Sequence, residues 1–294
     1  MTKINNFWKT EIETDYCSRE KCCGCGACEN ACPKHAISMN YDKEGFLYPI
    51  VDSKKCIDCG KCIQVCPMIN HPKQTSYLHA YAGYSKETSI IEKCASGGIC
   101  TAISKYVIEN GGVVFGVRYQ EDYIKSEYSK AETLEELESF MTSKYVQSIK
   151  SNIFKEVKKE LNNKRLVMFV GCPCDISSLC LFLKDKYENL ITVELVCMGV
   201  TNYKVAEAYI HPRVKKWGKL IHLNSKGKKY GWFVPQLEEK YENGKNFSKG
   251  FYGTYYGYGF TKFQRPSCSQ CLYRGEVGRA DIRVGDFWGI KKSD

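Results

Sequence analysis

No uncharged apolar stretch among the 294 residues approaches the ~18–20 needed to cross a membrane. The first fifteen residues have no apolar core and already carry Glu11, Glu13 and Asp15, so they do not read as a secretory signal. A cytoplasmic chain is therefore expected. Glycine (24) and proline (8) are too few, and hydrophobic residues at 43% too many, for a collagen-like or disordered chain. No G-x-G-x-x-G follows a strand signal, which removes the ordinary support for a nicotinamide site. A radical-type C-x3-C-x2-C run is also missing. Histidine is scarce, at five, and His35, His71 and His79 are isolated along the chain. What is abundant is cysteine, at 18. In a long lysine-rich chain without a signal, that number points to metal ligation in a reducing compartment rather than to disulfides.

Cys22, Cys25, Cys28 and Cys32, followed by Pro33, read C-x2-C-x2-C-x3-C-P, and Cys56, Cys59, Cys62 and Cys66, followed by Pro67, repeat it. This is the bacterial two-cluster ferredoxin spacing, in which the fourth cysteine of each run serves the other cluster. One 4Fe–4S cluster then takes Cys22, Cys25, Cys28 and Cys66, and the second takes Cys32, Cys56, Cys59 and Cys62. Zinc also accepts C-x2-C pairs, but it does not ask for a third and fourth cysteine at this spacing twice, each before a proline. Gly24, Gly26 and Gly60 let backbone approach the cluster sulfurs. Residues 36–41 and 46–51 flank Asp-Lys-Glu-Gly and form a hairpin. Cys17 and Cys23 fall outside the pattern and read as unligated thiols. A unit this small is held together mainly by its clusters. A polar, proline-bearing stretch, residues 67–76, reads as a linker, which divides the chain into 1–72 and 77–294.

The net charge of +10 is concentrated in residues 212–294, which hold 17 Lys and Arg against 7 Asp and Glu. Three four-iron clusters, each 2− with its thiolates, would reduce +10 to about +4. Much of the basic excess can thus answer the protein's own cofactors. The aromatic tract at residues 251–260, with Lys249, Lys262 and Arg265 around it, has base-stacking chemistry. It reads more readily as a loop over a planar cofactor or substrate, and nucleic acid is not an expected partner.

From residue 77 strand and helix signals alternate, which argues for an α/β domain. Strands are expected at 80–84, 113–117, 166–170 and 190–197. Helices are expected from Ile99 to Gly111-Gly112, burying Ile99, Ile103, Tyr106 and Val107, and at 133–140, 151–161 and 176–183. Consecutive strand signals after Lys219, including 230–234, make the sheet mixed. Ser96, Gly97 and Gly98 open the first helix, where small residues can admit a phosphate or flavin edge or simply cap the helix. Cys174 on a strand-to-helix turn, Cys197 at a strand end and the Cys268/Cys271 pair can converge on a third cluster. Cys100 and Cys180 read as small buried hydrophobes.

The ferredoxin runs, SGGICTAI (96–103), SKYVQS (143–148), VGCPCD (170–175), LVCMGV (195–200), RPSCSQC (265–271) and ADIRVGDFWGI (280–290) stand in an order that resembles the coenzyme F420 hydrogenase/dehydrogenase beta-subunit family, in its version with an N-terminal double-cluster ferredoxin. The resemblance implies an α/β flavin-binding domain with a mixed sheet behind a small two-cluster ferredoxin domain. It implies FAD, bordered by Ser96, Gly97, Gly98 and Thr101 and on its other side by Ser143, Lys144, Tyr145 and Gln147. It also implies a third 4Fe–4S cluster on Cys174, Cys197, Cys268 and Cys271. The family usually reads Thr where Cys172 stands, so Cys172 and Cys174 compete for one ligand position, with Cys174 favoured. The family also usually extends well beyond the GDFWG motif.

The expected activity is that of an iron–sulfur flavoenzyme passing electrons between the clusters and a small redox substrate, with a carrier such as ferredoxin as protein partner. Lys144, the only charged residue in its motif, is the candidate catalytic group. The alternative is a non-catalytic electron-transfer subunit of a redox complex. Either a homo-oligomer or such a complex is compatible with the wiring.

Overall fold

The computed structural model describes residues 17–72, 79–275 and 279–288. The first fifteen residues, the later part of the linker reading (73–76) and the last two residues of the ADIRVGDFWGI motif lie outside the described residues.

The N-terminal unit is two short helices and a hairpin: α1 Ala27–Ala31, β1 Ile37–Tyr41, β2 Leu47–Val51 and α2 Lys61–Gln64. Gly26 and Gly60, one residue past Cys25 and Cys59, cap α1 and α2 in the left-handed region at φ 71° and 68°. A side chain would strain both turns, and the turns are what fold each cysteine loop back on itself. Asp42 accepts from the Glu44 and Phe46 amides at 3.0 and 2.9 Å and so closes the hairpin. Its strands pair antiparallel with Met39 opposite Pro49, as expected.

The larger domain continues with α3 Thr88–Lys93, α4 Ile99–Glu109, β3 Val113–Tyr119, β4 Ser126–Ala131, α5 Leu134–Glu138, β5 Ser148–Ile149, α6 Ile153–Asn162, β6 Val167–Gly171, α7 Pro173–Leu183 and β7 Leu190–Leu195. There follow α8 Tyr203–Trp217, β8 Leu220–Gly227, β9 Gln236–Tyr241, β10 Asn246–Gly250, α9 Tyr255–Lys262, α10 Pro266–Ser269 and β11 Ile282–Val284. Six strands form one sheet in the order β11-β7-β6-β3-β4-β5. Its neighbours are parallel except β3 and β4. The sheet is mixed, as expected, but the hairpin β3–β4 makes it so. The consecutive late strands instead build a separate antiparallel sheet, β10-β9-β8.

Several sequence expectations are corrected. Residues 80–84 are not a strand, and Tyr81 and Tyr84 are largely exposed. Helix α4 is present, but it buries Thr101, Ser104 and Val107 while Ile99 and Tyr106 face outward. Hydrophobic spacing misled because the inner face borders a cavity that takes polar groups. Residues 230–234 are turn, not strand. The aromatic tract is not a covering loop. It forms a short 3-10 turn and α9, and it buries Phe251, Tyr256 and Phe260. Helix α8, with Pro212 inside it, had no expectation at all. It packs on the antiparallel sheet, where buried Glu239 accepts from the Tyr209 and Tyr241 hydroxyls and faces Arg213 at 3.5 Å.

The ferredoxin unit shares its core with the larger domain. Cys25, Ala27 and Val65 belong to the same apolar cluster as Phe154, Ile176 and Leu179. Leu47 donates to Gln147 Oε1 at 2.9 Å, Asn30 to the Ser151 carbonyl at 2.7 Å and Lys204 to the Lys43 carbonyl at 2.7 Å. The start of the expected linker is pinned: Tyr273 donates to the Pro67 carbonyl, and Arg279 to that of Pro72 at 3.0 Å.

Helix α5 carries a full capping box between Thr133 and Glu136. Replacing Thr133 with alanine is expected to cost about 1 kcal/mol of stability. Urea unfolding checks this, and a midpoint equal to that of the parent chain would refute it.

Candidate functional site

Two groups of thiols follow from the cysteine loops. Cys28 is surrounded by Cys25, Cys22, Cys66 and Cys62, and burial with these thiols pushes its pKa well above the ordinary value. Cys66, the fourth cysteine of the second run, thus stands with the first run. Cys17, buried, donates to Cys22 and Cys66. The Cys22 thiol falls to about 6 because Cys17 donates to it and the Arg265 guanidinium lies beside it, against the effect of burial. On the other side, Cys56 faces Cys32, the fourth cysteine of the first run. The Asp58 amide favours its thiolate, but burial, the Asp58 carboxylate and Cys32 together raise it. Cys32 Sγ accepts from the Ala36 amide at 3.2 Å. Cys56 and Cys59 are exposed, whereas Cys22 and Cys25 are buried. Cys62, expected with the outer group, also lines the small inner cavity beside Cys28.

A larger cavity of about 180 Å³ opens at the C-terminal ends of β6 and β7, where the loop into α7 and the segment before α8 begin. Cys172, Cys174, Cys197, Cys268 and Cys271 all line it. Cys172 caps α7 with Pro173 at its first turn, which aims both flanking cysteines at the cavity. Cys172 donates to Cys197, and this together with burial raises Cys172 far above its usual value. That donation, opposed by burial and helped by the Gly199 amide at 3.4 Å, brings Cys197 down to about 7. The Cys268 thiol is pushed up to about 11 by burial and by Cys174 and Cys197, and Cys271 is raised by the same causes. Cys23 donates to Cys174 and lines both cavities. Sequence reasoning set it aside; its place next to Cys22 in the inner loop was the available signal.

Among the described residues no three His, Cys, Asp or Glu side chains close on a single metal-ion position. All-sulfur sets spread round a cavity suit a cluster, in which each thiolate binds a different iron. The donor chemistry therefore fits the implied group.

Of the flavin-side residues, Thr101, Lys144 and Gln147 line the cavity, while Ser96, Gly97, Gly98, Ser143 and Tyr145 do not. Gly98 caps α4 at φ 81°, and a Cβ there would meet Ile90 at 2.7 Å. The Ser96 carbonyl accepts from Lys228 Nζ at 2.6 Å. These residues frame the start of α4, which presents Thr101. Tyr145 packs its ring on Phe251 and Phe260, with centroids at 5.0 and 4.5 Å. Lys144 Nζ donates to the Ser139 and Thr142 carbonyls at 2.6 and 2.8 Å. Burial lowers it to about 7. At the cavity floor, buried Lys150 lies 3.2 Å from Asp175, which accepts from Tyr128 at 3.0 Å. Burial opposes the charge on Lys150, but Asp175 and the Cys174 and Cys172 thiols outweigh it and raise its pKa.

Models of the 4Fe-4S dicluster domain match residues 21–69 and 48–103. With the paired cysteine runs folded as described, they make the chain an iron–sulfur protein of the ferredoxin type in its N-terminal part. Residues 80–154 match the coenzyme F420 hydrogenase/dehydrogenase beta subunit N-terminal model, and residues 164–294 match its C-terminal model. The chain belongs to that beta-subunit family, whose members are oxidoreductases, as its motifs had led us to expect. A chain in a solved structure of the xenon-derivatised F420-reducing NiFe hydrogenase complex from Methanosarcina barkeri is similar, with a TM-score of 0.49 and 19% identity. That likeness covers 73% of this chain and 74% of the other. No curated protein matches. Among the described residues no helix is long and apolar enough to cross a membrane.

Proposed function

We propose that the chain is an iron–sulfur flavoenzyme that exchanges electrons with a ferredoxin-type carrier at its N-terminal unit and with a small redox substrate at the larger cavity. The observation that carries this reading is the composition of one cavity. Cys174, Cys197, Cys268 and Cys271 line it together with Thr101, Lys144 and Gln147, and Cys23 and Met68 of the ferredoxin unit border it as well. On this reading Cys22, Cys25, Cys28 and Cys66 hold one 4Fe–4S cluster and Cys32, Cys56, Cys59 and Cys62 the second. Cys174, Cys197, Cys268 and Cys271 hold a third. Cys174 is preferred over Cys172 because the thiols acting on Cys268 and Cys271 are those of Cys174 and Cys197. Thr101 and Lys144 would border a bound FAD.

Bound clusters supply one-electron transfer, and a bound flavin supplies exchange between one- and two-electron partners. The chain's residues do the rest. Val114, Val117 and Leu137 give the cavity an apolar wall. Lys144, tethered by two carbonyls and poised near neutrality, can hold a charge or release a proton there.

Anaerobic purification with iron, sulfide and flavin quantitation tests the reading. About twelve irons and one flavin per chain are expected from three four-iron clusters. Zinc in place of iron, or no flavin, would sink it. A screen of reductants and acceptors then separates the enzyme from the alternative: turnover that appears only with a second subunit makes the chain an electron-transfer subunit.

Lys144→Met keeps the side-chain stem and removes the charge. At an effective dielectric near ~20, an ammonium beside a reduced flavin is worth about 1–3 kcal/mol, or tens of millivolts for two electrons. The variant is expected to retain flavin at a lower midpoint potential and to reduce it more slowly. An unchanged potential with weaker flavin retention would assign Lys144 to the phosphates.

A further inference from the structure

Among the described residues Arg265 is the largest fully buried side chain, 1% exposed. It lies at the start of the RPSCSQC motif, three residues before Cys268, yet it reaches across to the ferredoxin unit. Its Nε donates to the Cys22 carbonyl at 2.7 Å, and its guanidinium lies 4.1 Å over the Tyr48 ring. These contacts fix the plane of the group, and Nη1 and Nη2 find no oxygen or nitrogen acceptor. Gln147, also buried, is in the same position. Its Oε1 takes the Leu47 amide, which fixes the orientation of the side-chain amide, and Nε2 has no acceptor.

The unpartnered donors converge. A Cβ at Gly24 would lie 2.2 Å from Gln147 Nε2 and 2.8 Å from Arg265 Nη1. Gly24 sits between Cys22 and Cys25 at φ 66°, so both side chains are drawn over the bare backbone of the inner cysteine loop. Buried donors of this kind require an acceptor, and a cation held this tightly requires an electron-rich one. On the inner loop the Arg265 guanidinium meets the Cys22 sulfur as well as its carbonyl.

We propose that Arg265 and Gln147, both from the larger domain, donate hydrogen bonds to the sulfurs of the cluster held by Cys22, Cys25, Cys28 and Cys66 and raise its reduction potential. This rests on the ligand assignment above. Reduction adds negative charge to the cluster, and N–H donors and a fixed cation stabilise the more negative form. The potential of the inner ferredoxin cluster is then set by the domain it feeds, through two positioning residues that ligate no iron.

The test is a potentiometric titration of the anaerobic full-length protein, read by the electron paramagnetic resonance of each reduced cluster. Arg265→Met is expected to lower one ferredoxin-type midpoint at least tenfold in the one-electron equilibrium, which is about 59 mV. The outer cluster should stay in place, and iron content should not change. Gln147→Leu is expected to shift the same midpoint in the same direction by less, and Arg265→Lys to restore part of the loss. If Arg265→Met does not accumulate as folded protein, Gln147→Leu decides. Unmoved midpoints at full iron overturn the proposal, as does a change confined to binding of an anionic substrate in the cavity. Parent protein without iron would instead overturn the ligand assignment, so the two failures are distinguishable.

Discussion

Cys66→Ala is expected to remove about one cluster's worth of iron, four atoms per chain, from the inner site while sparing Cys56 and Cys59. The position looks as if it belongs to the outer loop, because it closes the run that begins at Cys56. The fold puts it with Cys17, Cys22 and Cys28 instead. Losing it opens the inner cavity and leaves Cys28, a thiol crowded by its neighbours, without the metal that would take its proton's place. The effect should spread. Cys25 and Val65 belong to a core shared with Phe154 and Ile176, so the junction of the two units should loosen as well. Iron quantitation and limited proteolysis read both effects. Loss of the exposed site's signal in place of the inner one would mean that the runs are not crossed.

Cys268→Ala is expected to lower iron by a further single cluster and leave the ferredoxin signals intact. Its thiol stands with Cys174, Cys197 and Cys271 at the larger cavity. It lies at the opposite end of the chain from the ferredoxin loops, and the substitution leaves Arg265 and its bond to Cys22 in place. Cluster-to-flavin transfer should collapse even though both ferredoxin clusters still take electrons. Full iron after the substitution would remove the third cluster from the account.

The parts legible in the sequence were those governed by spacing along one loop. The hairpin closed by Asp42, the helix that begins at Thr133 and the strand at Val113 are local features, and each stands as expected; the spacing of the two cysteine runs lies within the match to the dicluster model. Illegible were features that depend on what lies opposite. Helix α4 turns Thr101 and Ser104 inward because a cavity lies there, which hydrophobic periodicity does not report. The aromatic tract gave a flat-surface signal, but Glu239, Tyr209 and Leu237 supplied it with a core. Helix α8 went unseen because Pro212 interrupts the usual pattern. Cys23 and Arg265 show the same limit at the site. Each is ordinary in its own segment and acquires meaning only when the inner loop meets the cavity.

The cysteines are graded in depth, and that grading orders the protein's tolerance of air. Cys56 and Cys59 stand at the surface, Cys28 and Cys66 lie part-way in, and Cys22 and Cys25 are sealed beneath Arg265 and the shared core. Dissolved oxidants reach exposed sulfur first, and sulfenic and sulfinic products form where peroxide has access. Damage on handling would therefore begin at the outer rim and advance inward. A preparation bleached at its edge can still contain an undamaged interior.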